Sequence, residues 1–268
     1  MNITHAFRSV FAVGAILAAA VVPAARAGLL IDDFITQQDV LVTALATQAT
    51  PVTAGAYVYP TATALGGERD LLLTKYTGSS VAQARLRTNP NGLDRLRFSQ
   101  GTNVRSVASV IYDGVDSNAQ AINYAGLGGL DFTRYSAFRL EVTASNQIGL
   151  THFTVWDASD PTGATFATAN LWIPVITTTT FLDLSFANFT AVGGDLNDIF
   201  ANIGAIRFTV DGNFANVQGK TAVAGWDADF GSIQAIPSPS ALLGGLVLLG
   251  SMLLGRSRLS SQSQRMIA

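Results

Sequence analysis

The sequence predicts an all-β protein, a β-sandwich between residues 28 and 234 with an apolar segment at each end. Three observations support this fold class: apolar and polar residues alternate with a period of two, turn motifs separate the alternating stretches, and no long amphipathic helix lies between them. The chain has 268 residues, 49% hydrophobic and 13% charged, a composition that argues against disorder. Its central part is long enough to bury the core of one domain.

The most regular alternation lies at 138–143, where Phe138, Leu140 and Val142 share one face. Because successive side chains of a strand point to opposite faces, one face of this segment packs on a core and the other meets water. Further strands are predicted at 69–76, 82–98, 150–156, 180–184 and 206–210. Turn motifs separate them, among them Asn-Pro-Asn-Gly at 89–92, Asp-Gly at 113–114 and Gly-Gly at 128–129. Residues 195–201 predict at most two turns of helix.

The opening Asp-Asp-Phe at 32–34, the central strand at 138–142 and a closing strand that ends at Phe230 form a further pattern. Together they resemble the galactose-binding-like jelly-roll domains found in many carbohydrate-binding modules. The resemblance implies a jelly-roll topology for the sandwich, in which the first and last strands lie close together.

Composition excludes several classes of site. Cysteine is absent, which rules out disulfide frameworks, thiolate metal sites and cysteine nucleophiles. All 18 acids lie between Asp32 and Asp229, whereas five of the 16 bases lie in the two ends, so the domain between the ends carries a net charge of −7. An acidic domain disfavours nucleic acid as a partner. No glycine motif of a nucleotide site joins a strand to a helix, and no cofactor is expected.

Residues 1–27 have the pattern of a secretory signal peptide. Arg8 precedes an uncharged apolar run at 10–22, and Ala-Arg-Ala at 25–27 supplies the small residues that signal peptidase accepts before Gly28. The run is shorter than the ~20 residues that a membrane span needs, which favours cleavage over permanent anchoring.

Residues 235–268 predict a second membrane-directed segment. The stretch 241–255 is uncharged and rich in Leu and Gly, and Arg256 and Arg258 follow it. Counted from Ile236, it reaches the ~20 uncharged positions that cross a hydrocarbon core of ~30 Å. The positive-inside rule then places the basic tail at 256–268 in the cytoplasm and the β domain outside it.

A proline motif stands before this predicted membrane helix: Pro237, Ser238, Pro239 and Ser240. The order of motif, apolar helix and arginine tail resembles the PEP-CTERM sorting segment of exopolysaccharide-producing Gram-negative bacteria. One difference is Ser238, which stands where the family usually has an acidic residue. The resemblance implies processing by an exosortase near 237–240, transient anchoring in the inner membrane, and release or transfer to the cell surface or extracellular matrix.

Four arginines cluster in the predicted hairpin at 82–98: Arg85, Arg87, Arg95 and Arg97. If 88–92 forms a five-residue loop, Arg85 opposes Arg95 and all four arginines share one face. The functional interpretation is a patch for anionic polysaccharide, because guanidinium groups bind carboxylates through paired hydrogen bonds. The alternative is a solvated face neutralised by nearby acids, which is the commoner role of exposed charges.

Catalytic motifs are scarce, and we expect no enzyme. His152 is the only histidine after the signal peptide and shares a strand face with Thr154 and Trp156, without a G-x-S-x-G elbow; a structural role is favoured over a Ser-His-Asp triad. A pair of acids for glycoside hydrolysis stays possible, because the sequence does not show which of six aspartates come together in the fold: Asp32, Asp33, Asp157, Asp160, Asp227 and Asp229. The only glutamates, Glu68 and Glu141, stand in no hydrolase motif.

Aspartates in the first and last strands also suggest a calcium site. In a jelly roll, Asp32 or Asp33 near Asp227 or Asp229 would supply the oxygen ligands that calcium prefers. No calcium-loop motif supports the site, so solvated acids at strand ends are the more ordinary interpretation and no metal is expected.

Aromatic residues are candidates for a sugar-stacking platform: Trp156, Trp172, Trp226, Tyr57, Tyr59 and Tyr135. Burial in the sandwich core is the commoner role of such residues.

These features predict an exported, transiently membrane-anchored surface or matrix protein, structural or adhesive in association with exopolysaccharide. Two alternatives stay open. One is a carbohydrate-binding module with an aromatic or arginine glycan site, and the other is a secreted hydrolase.

Overall fold

The computed structural model describes residues 28–61, 63–215 and 217–238. They contain 14 strands: β1 (Leu29–Asp32), β2 (Gln38–Val42), β3 (Val52–Val58), β4 (Arg69–Thr77), β5 (Ala84–Thr88), β6 (Leu96–Gln100), β7 (Arg105–Tyr112), β8 (Tyr135–Ser145), β9 (Gly149–Asp157), β10 (Phe166–Ile173), β11 (Thr180–Ser185), β12 (Thr190–Val192), β13 (Ile203–Asp211) and β14 (Ala228–Pro237). One helix, α1 (Leu196–Ala201), and two 3₁₀ turns, Pro90–Gly92 and Phe186–Asn188, complete these elements. Every strand predicted from the alternation is present, and α1 matches the predicted short helix.

The strands form two antiparallel sheets of seven strands each. Sheet 1 has the order β11-β8-β14-β6-β5-β2, with β1 also paired to β14, and sheet 2 has the order β12-β10-β9-β13-β7-β4-β3. This arrangement confirms the predicted all-β sandwich and is consistent with a jelly roll. The first and last strands are neighbours, with Leu29 opposite Ala235.

The two sheets enclose a core of aliphatic and aromatic side chains. Phe138, Leu140 and Val142 of β8 are fully buried, as the alternation at 138–143 predicts. Phe138 stacks on Phe153 of β9 with the ring centroids 4.9 Å apart, so the two sheets interlock at this point. Burying one such ring stabilises the fold by about 1.5–3 kcal/mol relative to leaving it exposed.

One ion pair lies inside this core and joins the two sheets. Arg69 on β4 and Asp32 on β1 are both fully buried, with Nη1 3.0 Å from Oδ2. The Tyr112 hydroxyl donates to Asp32 at 3.1 Å, and the Phe34 amide donates to it at 2.8 Å. Burial raises the pKa of Asp32, although Arg69 and these hydrogen bonds act in the opposite direction.

The last strand runs beyond the expected end of the domain. β14 continues through Pro237, because Ala235 is buried and lies opposite Phe138 of β8. The Ser238 amide then donates to the Arg134 carbonyl at 2.9 Å. Residues 235–237, which the sequence assigned to the sorting segment, therefore belong to the sandwich, and the proline motif begins inside its last strand.

The other predicted terminal features lie outside the described residues. They are the signal peptide at 1–27, the motif positions Pro239 and Ser240, the membrane helix at 241–255, and the tail with Arg256 and Arg258. Within the described part of the chain, no helix has the length and apolar character needed to span a membrane.

Candidate functional site

The arginine cluster lies on the outer face of sheet 1. Leu86, Leu96 and Phe98 of its hairpin are fully buried, so the separation of apolar and cationic faces is confirmed. The predicted register is wrong: Arg85 lies opposite Ser99, and Arg87 opposite Arg97. The turn is longer than expected, closing where the Asn89 amide donates to the Arg95 carbonyl at 2.8 Å. The residue opposite Arg85 lies four positions further along the chain than predicted. Because four is an even number, every side chain keeps its predicted face.

Acidic side chains neutralise much of this arginine face. Arg97 donates to Asp229 from Nε at 2.7 Å and from Nη2 at 2.7 Å, and Arg95 donates to the same carboxylate at 3.0 Å. Arg85 is paired with Asp39. Burial acts to raise the pKa of Asp229, but the two arginines hold it below its usual value. These pairs favour the interpretation of the face as neutralised by nearby acids.

Arg87 differs from the other three arginines. Its Nε is buried without a hydrogen-bond partner, and no described carboxylate lies within 4.0 Å of its guanidinium. Burial, together with the charges of Arg85 and Arg97, lowers its pKa. Arg87 is therefore the one member of the cluster that the described acids leave unpaired.

His152 occupies the outer face of sheet 2, as the sequence predicts. Its Nδ1 lies 2.6 Å from Oδ1 of Asn170, and its Nε2 lies 3.2 Å from Oδ2 of Asp211. Because both ring nitrogens have partners, neither is free to activate a serine hydroxyl, which favours the structural role.

Asp32 and Asp229, two of the four aspartates suggested for a calcium site, do not share one. Asp32 points into the core, where it binds Arg69, whereas Asp229 binds Arg97 on the outer face of sheet 1. Side chains on opposite faces of a sheet cannot share one ion. The calcium site suggested between Asp32 and Asp229 is therefore wrong.

A shallow groove of about 320 Å³ lies on the outer face of sheet 2. We call it the outer groove; its polar lining is Ser109, His152, Thr154, Thr168, Arg207 and Thr209. The hydroxyls of Ser109 and Thr209 are 3.1 Å apart, and those of Thr154 and Thr168 are 3.3 Å apart. The groove thus presents a set of hydrogen-bond donors and acceptors held by neighbouring strands, an arrangement suited to a hydroxyl-rich ligand.

Arg207, on β13, is the one arginine or lysine among the described residues that line this groove. Its guanidinium carbon lies 5.0 Å from the ring centroid of Trp156, which is only 5% exposed. Its Nε is buried without a hydrogen-bond partner, and no carboxylate in the described part of the chain lies within 4.0 Å. Burial lowers the pKa of Arg207, with Tyr124 acting against the shift. An unpaired guanidinium at a groove is suited to binding a carboxylate.

Residues 113–127, which we call the cover loop, cross the outer face of sheet 2 beside the groove. Tyr124 packs on Trp156 with the ring centroids 5.6 Å apart, and the Leu127 amide donates to the Gly204 carbonyl at 2.9 Å. Position 204 requires glycine, because a Cβ there would lie 2.0 Å from the Tyr124 carbonyl oxygen. The cover loop is therefore closely seated on the sheet.

Four acids meet where the cover loop joins sheet 2, and we call them the acid cluster: Glu68, Asp70, Asp113 and Asp116. The first three are at most 1% exposed. Burial and the charges of Asp113 and Glu68 raise the pKa of Asp70 to about 8. Burial also raises the pKa of Asp113, to about 6. The sequence interpretation missed this cluster, although Glu68 and Asp70 flank the start of a predicted strand and Asp113 opens a predicted turn.

The aromatic candidates divide by exposure. Trp156, Trp226 and Tyr135 are buried, whereas Tyr57 and Tyr59 are 49% and 56% exposed. Trp172 is half-buried, with the Lys220 ammonium 4.5 Å from its ring centroid. Pairing across sheet 2 aligns six residues in one row: Tyr57, Asp70, Ile111, Arg207, Thr154 and Thr168. Tyr57 therefore shares a sheet face with the outer groove.

No family model and no curated protein matches the chain. Among solved structures, it is similar to the family 11 carbohydrate-binding module of the cellulosomal cellulase Lic26A-Cel5E of Clostridium thermocellum, at 9% identity and a TM-score of 0.40, over 80% of this chain and 97% of that one. A family 11 module from Clostridium thermocellum in complex with a β-1,3-1,4-mixed-linked tetrasaccharide is 10% identical with a TM-score of 0.39, over 80% of this chain and 98% of the module. The agarase AgWH50C is 10% identical with a TM-score of 0.36, over 55% of this chain and 21% of the agarase. These values place the chain in no family.

Proposed function

We propose that the sandwich is a non-catalytic polysaccharide-binding domain, and that the outer groove binds a chain bearing carboxylate groups. Arg207 carries this proposal, because it is a cation held against Trp156 without a described carboxylate partner. The rest of the polar lining consists of hydroxyl groups and the imidazole of His152. A uronate complements both, since its carboxylate pairs with the guanidinium and its hydroxyls bond to serine and threonine.

A binding role is favoured over catalysis by the state of the titratable groups near the groove. Both ring nitrogens of His152 are engaged by Asn170 and Asp211. Asp70 and Asp113 are buried, and neither belongs to the groove lining. A hydrolase needs an accessible acid and base on either side of the bond it cleaves.

Binding by the purified chain to polygalacturonate, alginate and a neutral glucan, measured by calorimetry at two salt concentrations, tests this proposal. We expect binding to the uronates that weakens with salt, and a loss of about tenfold to a hundredfold in Arg207→Gln, as for a charged hydrogen-bond pair. Arg134→Gln is the matched control, because Arg134 is exposed and lies outside the groove lining.

Arg87→Gln separates the two sheet faces. If uronate binding is lost in Arg87→Gln and retained in Arg207→Gln, the ligand binds the arginine face of sheet 1 and the outer groove is not the site. If the wild-type chain binds no uronate, the proposed ligand class is wrong.

We further propose that the domain is exported, anchored transiently and released, with a structural or adhesive role in an exopolysaccharide matrix. The support is the pattern of the two ends, which indicates signal peptidase and an exosortase as processing partners. Because β14 extends through Pro237, cleavage beyond Ser238 would leave the last strand whole. Expression in a Gram-negative host that has an exosortase, with mass spectrometry of the mature ends, tests this route. We expect a first residue of Gly28 and a last residue near 238–240; an unprocessed cytoplasmic chain would contradict it.

A further inference from the structure

The acid cluster has the spacing of ligands around one ion. Glu68 and Asp70 lie at the start of β4, and Asp116 lies on the cover loop after β7, the neighbour of β4 in sheet 2. Each of these three side chains offers an oxygen, and the oxygens all lie within 4.8 Å of one another. Calcium binds oxygen at about 2.3–2.6 Å, so two ligands of one ion lie at most about 5 Å apart.

Several of the cluster's buried oxygens lack a partner. No N–H group and no serine, threonine or tyrosine hydroxyl in the described chain donates to either oxygen of Asp70, to Oε2 of Glu68 or to Oδ1 of Asp113. The carboxyl groups of Asp70 and Asp113 lie within hydrogen-bond reach of each other, where a shared proton or a cation would relieve their repulsion. The second oxygen of Glu68 accepts from the Ser117 amide at 2.8 Å, and that of Asp113 accepts from the Asn123 amide at 2.7 Å. The cover-loop backbone thus holds one oxygen of Glu68 and one of Asp113, as groups around a metal hold its ligands in position.

The cluster also lacks a cation from the protein. Among the described residues, no lysine, arginine or histidine comes within 4.0 Å of its four carboxyl groups. Of the other buried acids, Asp32 and Asp229 are paired with arginine, and Asp157 accepts hydrogen bonds from Ser159 and Asn202. Unpaired buried charge is costly, and such groups pair, protonate or coordinate a metal.

We propose that Glu68, Asp70 and Asp116, with Asp113 beside them, bind a calcium ion that fastens the cover loop to sheet 2. The all-carboxylate donor set selects a hard cation. Calcium suits it better than magnesium, because magnesium gives up its water reluctantly and seldom occupies a site built of protein oxygens alone.

The ion would also support the outer groove. The cover loop carries Tyr124, which packs on Trp156, and Trp156 in turn lies under Arg207. Loosening the loop would therefore disturb the position of the groove's guanidinium. This effect on ligand binding rests on the proposed function, whereas the cation site itself does not.

Titration of the chelator-treated, full-length chain with Ca²⁺, followed by calorimetry and thermal unfolding at pH 8, tests the site. We expect one saturable site, and a rise in the unfolding midpoint of about 5–10 °C when calcium is a hundredfold above its dissociation constant. Mg²⁺ at the same concentration should give a clearly smaller rise. No binding, or an equal response to Mg²⁺, overturns the calcium site.

Asp70→Asn gives a signature that misfolding would not produce. Without calcium the variant should be at least as stable as the wild type, because a buried unpaired charge has been removed, yet it should no longer respond to calcium. Asp183→Asn is the control: it alters an exposed acid on sheet 1, and its calcium response should equal that of the wild type. If Asp70→Asn responds to calcium as the wild type does, the proposal is overturned. It is also overturned if a lower pH stabilises the wild type and calcium does not, because the carboxyl groups would then share protons instead of binding an ion. The titration contains no glycan, so its failure is distinguishable from failure of the groove.

Discussion

Arg207 lies over Trp156, with its guanidinium carbon 5.0 Å from the ring centroid, and Tyr124 packs against the same indole at 5.6 Å between centroids. A guanidinium held against an aromatic ring has already lost part of its freedom, so less is lost when it binds a carboxylate. These contacts therefore link the cover loop, which supplies Tyr124, to the charged group of the outer groove.

Replacing Arg207 by lysine tests whether the planar fork matters or only the charge. We expect Arg207→Lys to bind polygalacturonate about tenfold more weakly than the wild type, because an ammonium cannot make the paired hydrogen bonds of a guanidinium. Its binding should still weaken with salt, whereas any residual binding by Arg207→Gln should depend less on salt. Calorimetry at two ionic strengths measures both effects. Wild-type affinity in Arg207→Lys would show that the fork is not used.

The pair of arginines on Asp229 predicts a pH-dependent contribution to stability. The pKa of Asp229 is lowered from its usual 3.8, so the carboxylate contributes stability above that value and loses it as pH falls through the lower folded value. Asp229→Asn should lower the free energy of unfolding by about 1–2 kcal/mol at pH 7. This loss lies at the lower end of the range for hydrogen bonds to charged groups, because both arginines remain partly exposed. The difference from the wild type should shrink as the pH falls below 3.8 and through the lower folded pKa. Urea unfolding across this range measures it.

Asp183→Asn serves as the comparison for this prediction. Asp183 is also paired with an arginine, Arg139, but the two side chains are 47% and 39% exposed. Water screens such a pair, so the substitution should change the free energy of unfolding by less than about 0.5–1 kcal/mol. Equal costs at positions 229 and 183 would contradict the role assigned to burial.

The strands and their faces were predictable from the sequence, because alternation is a local signal. The hairpin of Arg85 and Arg97 shows where that signal stops. Its faces were predicted correctly, but its register was not. The turn that joins the strands extends to Arg95 and contains four residues with a left-handed backbone: Asn89, Asn91, Gly92 and Asp94. A four-residue error preserves the period of two and so leaves no trace in the alternation.

The functional residues were harder to predict, for physical reasons. Asp70 and Asp116 are distant in sequence and meet only because β4 pairs with β7. Arg207 stands in a regular alternating strand, where a charged residue ordinarily faces solvent; its burial comes from the cover loop and Trp156. In each case the surroundings that make the residue unusual come from another part of the chain.

The buried ion pair between β1 and β4 predicts a large effect of a single substitution. Arg69→Met should destabilise the protein by about 3–5 kcal/mol, because Asp32 would keep its burial and lose its counter-charge. Adding Asp32→Asn to Arg69→Met should recover part of the loss, since the uncompensated charge is then removed. Chemical denaturation of both variants shows which of them is the more stable. If the double variant is the less stable one, hydrogen bonds of Asp32 outweigh its charge.

Gly149 lies directly against the buried indole of Trp226. A Cβ at position 149 would lie 1.8 Å from Cζ2 of Trp226, an indole that is 2% exposed and donates from Nε1 to the Ser145 hydroxyl at 3.0 Å. Gly149→Ala must therefore displace the indole, which disturbs its hydrogen bond to Ser145 and its contact with Phe98, whose ring centroid lies 5.5 Å away. We expect a loss of about 2–3 kcal/mol, as for overpacked cores.

A double-mutant cycle isolates this contact from other effects of alanine. In a strand, alanine in place of glycine is by itself favourable by about 0.5–1 kcal/mol, because glycine loses more backbone freedom on folding. Trp226→Leu removes the obstructing ring, so Gly149→Ala in that background should cost less than 1 kcal/mol, or even stabilise. Thermal unfolding of the four proteins gives the coupling energy. A Gly149→Ala variant more stable than the wild type would show that the indole has room to move, and that glycine is not required at this position by packing.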